Sequence, residues 1–177
     1  MQICIFWTRL RHKSKFKRAM EQPTFKLTNL FLEEKGLFLQ GNLGADPSST
    51  LGGAAYMSNE DSEHSQWFMI PLDNGHFQLT TLAAHENGLV LDGNGGYDEN
   101  HKLQGATHMT DDLDAPGTQW KILPLDNGYF QLTTYDSENK GITLEGNGGV
   151  SDENFLKGSA FLTPQQKPSG TMWRIVM

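Results

Sequence analysis

Apolar and polar residues alternate over short stretches of this chain. Phe77 and Leu79, Leu89 and Leu91, and Phe130 and Leu132 each stand two positions apart among polar neighbours, which is the period of a half-buried strand. Clusters of Gly, Asn, Asp, Ser and Pro separate the stretches. Pro71-Leu-Asp-Asn-Gly75 and Pro124-Leu-Asp-Asn-Gly128 end in Asn-Gly, a strong hairpin signal. No stretch joins helical spacing to helix caps. The pattern predicts an all-β chain.

The pattern also repeats. Trp67, Trp120 and Trp173 are spaced 53 and 53 apart, and Phe25, Phe77 and Phe130 are spaced 52 and 53 apart, as are Gly41, Gly93 and Gly146. Between these anchors run Gly36-Leu-Phe-Leu-Gln-Gly-Asn, Gly88-Leu-Val-Leu-Asp-Gly-Asn and Gly141-Ile-Thr-Leu-Glu-Gly-Asn. Each copy closes on Ser65-Gln-Trp-Phe-Met-Ile, Thr118-Gln-Trp-Lys-Ile-Leu or Thr171-Met-Trp-Arg-Ile-Val. Repeats 25–70, 77–123 and 130–176, each of about four strands, leave no sheet edge if they close. Three such units predict a β-trefoil in a single domain over 22–177. Propeller blades are shorter and more numerous.

Charge divides the chain in two. Of 177 residues, 14 are Lys or Arg and 21 are Asp or Glu, for a formal net charge of −7. Six of the bases, Arg9, Arg11, Lys13, Lys15, Lys17 and Arg18, lie in residues 1–19, which hold no acid. The remaining eight bases face all 21 acids, a balance of −13. Such a body repels nucleic acid and anionic membrane surfaces. Residues 1–21 are expected to be a disordered or non-native basic arm, because the periodic pattern starts only at Phe25. The arm has the reverse order of a secretory signal. Cys4 is the only cysteine, so no disulfide framework is expected, and a cytoplasmic protein, or one exported without a signal peptide, is the expectation.

Across residues 22–177 the sequence resembles the ricin-type (R-type) lectin β-trefoils. The carriers are the threefold repeat, the Gly-Leu-Val-Leu-Asp strand and the x-x-Trp-x-Ile element. The resemblance implies shallow sugar pockets, one per repeat, built around a strand-end Asp and a Gln-x-Trp motif with an Asn before it. Here Asp92 holds the strand-end position, with Gln40 and Glu145 at its equivalents. Ser65, Thr118 and Thr171 stand where the motif has Gln, and His64, Gly117 and Gly170 where it has Asn.

The residues themselves offer the same candidates. A carboxylate or amide at a strand end can accept two hydrogen bonds from vicinal hydroxyls, which selects Gln40, Asp92 and Glu145 with the following Asn42, Asn94 and Asn147. Aromatic partners are Tyr97 and the position-matched Tyr56, His108 and Phe161. The competing reading places the Asn residues in left-handed turns and leaves the acids solvated. The three tryptophans are expected in the core, because Met69, Ile122 and Ile175 follow them on the same face. The loop acids around Asp98, Asp111 and Asp152 lack calcium-loop spacing, and no catalytic signature or metal-ligand spacing occurs. A non-catalytic lectin without cofactor or metal is therefore expected, with glycans or glycoproteins as partners and oligomerisation left open. The alternative is a protein-binding trefoil, a protease inhibitor or cytoskeletal module. An inhibitor needs a reactive loop that breaks the repeat, and the irregular Asp111–Pro116 and Thr163–Pro168 occupy the same place in their repeats, as ordinary loop variation does.

Overall fold

The computed structural model describes residues 23–41, 54–93, 106–146, 159–164 and 169–177. The basic arm and Asn42, Asn94, Tyr97 and Asn147 lie outside the described residues. Twelve strands are present among those described. The first repeat contributes β1 (Lys26–Asn29), β2 (Phe38–Gln40), β3 (Tyr56–Ser58) and β4 (Trp67–Pro71). The second contributes β5 (Phe77–Thr81), β6 (Val90–Asp92), β7 (His108–Thr110) and β8 (Trp120–Pro124). The third contributes β9 (Phe130–Thr134), β10 (Thr143–Gly146), β11 (Ala160–Thr163) and β12 (Trp173–Val176).

Six strands pair in the order β1-β12-β9-β8-β5-β4. The two ends of this sheet meet where Phe25 and Trp67 exchange backbone hydrogen bonds of 3.1 and 2.8 Å, so the sheet closes into a barrel. Phe77 opposite Trp120 and Phe130 opposite Trp173 are the equivalent bridges. The recurring Phe and Trp therefore join the first and last strands of each repeat, while the pairs β4–β5, β8–β9 and β1–β12 join one repeat to another. Leu72–His76 and Leu125–Tyr129 carry the chain between hairpin strands, with Gly75 and Gly128 at φ 84 and 81. Glycine takes the left-handed position while Asn74 and Asn127 accept the backbone N–H two residues on, at 3.1 and 3.2 Å. Each Asn-Gly pair thus closes a five-residue loop.

The other six strands form the hairpins β2–β3, β6–β7 and β10–β11. Bridges from Ala54 to His108, Ala106 to Phe161 and Ser159 to Tyr56 link them in a circle. At the centre the Ala55 N–H donates to the Thr107 carbonyl at 2.7 Å, Thr107 to Ala160 at 2.9 Å and Ala160 back to Ala55 at 2.8 Å. This ring marks the pseudo-threefold axis.

Trp67, Trp120 and Trp173 are fully buried among Leu27, Leu39, Leu79, Leu91, Leu132 and Leu144. The core placement expected for the tryptophans holds. The residue two positions on is less uniform: Met69 and Ile122 pack partly against the core, whereas Ile175 is 40% exposed. Thr28, Thr80 and Thr133 each donate a hydroxyl hydrogen bond of 2.7 Å to the carbonyls of Leu37, Leu89 and Ile142. That use of a buried hydroxyl explains why Thr recurs after Phe-x-Leu.

Candidate functional site

The strand-end positions and the aromatic positions selected from sequence are direct cross-strand partners. Gln40 lies opposite Tyr56, Asp92 opposite His108 and Glu145 opposite Phe161. Residues so placed share one face, with Cβ atoms about 4.5–5.5 Å apart. Each hairpin therefore presents one hydrogen-bonding group beside one ring.

A buried strut fixes the height of each pair. The indole N–H groups of Trp67, Trp120 and Trp173 donate to the carbonyls of Leu39, Leu91 and Leu144 at 2.9, 2.8 and 2.8 Å. These carbonyls immediately precede Gln40, Asp92 and Glu145. The next residue is a glycine in every copy, because an added Cβ would come within 2.8 Å of Thr81 at Gly41 and within 2.6 Å of Thr134 at Gly93, with the tryptophan tip close behind at 3.2 and 3.4 Å. A Cβ on Gly146 would meet the Asn29 amide nitrogen at 2.6 Å and Trp173 at 2.7 Å. The Gly41 and Gly93 N–H groups donate to the carbonyls of His64 and Gly117, each at 2.9 Å. Ser65, Thr118 and Thr171, at the motif's Gln position, are fully buried. Ser65 and Thr118 spend their hydroxyls on the turn carbonyls of Ser62 and Ala115, at 2.8 Å each.

The three pairs differ in openness. Gln40 is fully buried. Its amide donates to the Glu60 carbonyl at 2.9 Å and accepts from the Ser62 hydroxyl at 3.2 Å. His64 reaches over the same corner, its Nδ1–H donating to the Gly41 carbonyl at 2.9 Å. Burial, and then the nearby Glu60 charge, raise the Tyr56 phenol above its usual range. Asp92 and Glu145 are only half-buried. At their corners Gly117 and Gly170 stand where the first repeat has His64. Gly170 packs closely on Glu145, where an added Cβ would stand 3.1 Å from Cγ. Burial pushes the Glu145 carboxyl above the usual carboxylate range. His108 Nδ1 is buried without a hydrogen-bond partner among the described residues. Asn42, Asn94, Tyr97 and Asn147, the other candidates from the sequence, lie outside the described residues.

Two further polar corners, which sequence reasoning missed, sit beside the Phe–Trp bridges. Tyr129 donates its hydroxyl to Glu33 Oε1 at 2.9 Å, and Arg174 Nη1 lies 3.2 Å from Glu33 Oε2. The hydrogen bond to Glu33 is the main cause of a raised Tyr129 phenol. At the equivalent corner Lys121 Nζ is 2.8 Å from Glu138 Oε2, which holds that carboxyl below its usual range. His76 takes the place of Tyr129 and is 8% exposed. Its Nε2 stands 3.7 Å from Glu138, and its ring meets Tyr135 edge-on at 5.3 Å. The signal was present as the 53-residue spacing from His76 to Tyr129 and from Lys121 to Arg174. No cluster of three or more metal-ligating side chains occurs among the described residues.

Solved structures reproduce the architecture. A designed 3-fold symmetric protein, ThreeFoil, aligns over 87% of this chain and 98% of its own with a TM-score of 0.57 and 21% identity. The fold is a β-trefoil. SeviL, solved bound to asialo-GM1 saccharide, aligns with this trefoil over 87% of the chain and 96% of its own at TM-score 0.56 and 15% identity. A mosquitocidal holotoxin gives TM-score 0.63 and 14% identity, with only 17% of its length covered. No family model and no curated protein sequence matches the trefoil.

Proposed function

We propose that this trefoil is a non-catalytic carbohydrate-binding protein, a lectin of the ricin-type pattern, whose partners are glycans or glycoproteins. The observation that carries the reading is the cross-strand pairing of Asp92 with His108 and of Glu145 with Phe161, all four at half-buried positions. A carboxylate accepts hydrogen bonds from adjacent hydroxyls, and the ring beside it offers an apolar wall to the C–H face of a pyranose. Asn94, Tyr97 and Asn147, which lie outside the described residues, remain candidates from the sequence. The saccharide-bound SeviL structure supports the reading at the level of fold.

The protein-binding alternative has less to stand on. The Asp111–Pro116 loop is anchored inward, because the Leu113 carbonyl accepts from Gln78 Nε2 at 2.7 Å and from the Thr118 hydroxyl at 3.3 Å. A glycan array run beside a protease-inhibition panel decides between the readings. Glycan binding that is reduced by Asp92→Ala is the expected result. Protease inhibition with a blank array would overturn it.

A further inference from the structure

The threefold symmetry that suggests three sugar sites is broken at one corner. In the first repeat, the residue equivalent to Asp92 is turned inward and used up. Gln40 is fully buried, with its amide donating to Glu60 and accepting from Ser62. Ser62 has Ala115 and Pro168 at its equivalent positions, 53 residues apart each time, so neither other repeat has a hydroxyl there to make this bond. His64 closes the same corner through the Gly41 carbonyl, where the other repeats have glycine. The exchange of acid for amide fits this use. An amide can donate and accept at once, whereas a carboxylate buried here would face the Glu60 carbonyl with no proton to give.

We infer that the β2–β3 hairpin is a structural clasp and that the chain is a two-site binder acting through the Asp92/His108 and Glu145/Phe161 mouths. This rests on the lectin reading. The two sites stand on different hairpins related by the pseudo-threefold axis, so one chain can hold two sugars of a densely glycosylated surface. Weak single sites then combine through effective concentration. The partner is accordingly a surface of clustered glycans rather than a free monosaccharide.

The test uses the full chain with two probes, lactose and asialo-GM1 oligosaccharide, counting bound saccharide by native mass spectrometry. Saturation at two per chain is expected, falling to one in Asp92→Ala and to none when Glu145→Ala is added. Gln40→Ala and Ser62→Ala are expected to keep both saccharides while lowering the thermal midpoint by several degrees. Saturation at three or at one, or loss of a saccharide in Gln40→Ala, overturns the two-site inference. Wild type that binds neither probe nor any arrayed glycan sinks the lectin reading instead. The clasp still stands or falls on the thermal midpoints of Gln40→Ala and Ser62→Ala, and unchanged midpoints overturn it.

Discussion

The barrel and the hairpin mouths are built on the same repeat, yet they keep it to very different degrees. Inside, Trp67, Trp120 and Trp173 are all fully buried and all reach the carbonyl two strands earlier within 0.1 Å of one another, at 2.8–2.9 Å. At the mouths the equivalent positions read Gln40, Asp92 and Glu145, then Tyr56, His108 and Phe161, then His64, Gly117 and Gly170. Close packing explains the first set, since a change of one methylene there meets a neighbour. Asp92, Glu145 and the three ring positions are only half-buried, so a changed side chain there meets fewer fixed neighbours.

Substitutions can sharpen that contrast, and the interior gives the largest effect. Trp120→Ala removes a buried indole and its strut to Leu91, and is expected to lose about 3–5 kcal/mol of stability in urea unfolding. Gly146→Ala forces a Cβ against Trp173 and Asn29, and about 1–3 kcal/mol of loss is expected by the same measurement. A gain is expected at the asymmetric corner beside the bridges. His76→Tyr supplies the hydroxyl that Tyr129 uses on Glu33, and about 0.5–1.5 kcal/mol of stabilisation would follow. No gain would mean that the two corners are not interchangeable.

Effects at the mouths are smaller. Burial raises the Glu145 carboxyl, so the folded chain favours its neutral form. Its stabilising share is present at low pH and is lost as pH rises through the raised folded value. Glu145→Gln should therefore melt above wild type at pH 7–8, with the advantage fading as pH falls into the ordinary carboxylate range. A constant difference across pH would refute burial as the cause. Asp92→Ala should change stability by no more than about 0.5 kcal/mol while removing saccharide binding at its mouth. A large stability loss there would make Asp92 part of the scaffold.

The fold was readable in the sequence because the spacing of Phe, Gly and Trp marks contacts that recur three times: Phe with Trp at the bridges, and glycine under the tryptophan tip. The pairing at the mouths was readable too, since Gln40 and Tyr56, Asp92 and His108, and Glu145 and Phe161 each stand 16 residues apart across a hairpin. The inward turn of Gln40 was not. It depends on the Ser62 hydroxyl and the Glu60 carbonyl, which are local to one repeat and leave no trace in a comparison of three. The His76 and Tyr129 corners escaped for a different reason. Their partners come from adjoining repeats, so no single repeat displays the set.

The ring of backbone bonds through Ala55, Thr107 and Ala160 has a consequence for how the molecule can come apart. In a linear array the terminal unit can fray while its neighbours persist. Here every unit is both donor and acceptor to another, so peeling one away strands an N–H and a carbonyl on the two that remain. The architecture has no end from which to unravel, and the three repeats must be lost together.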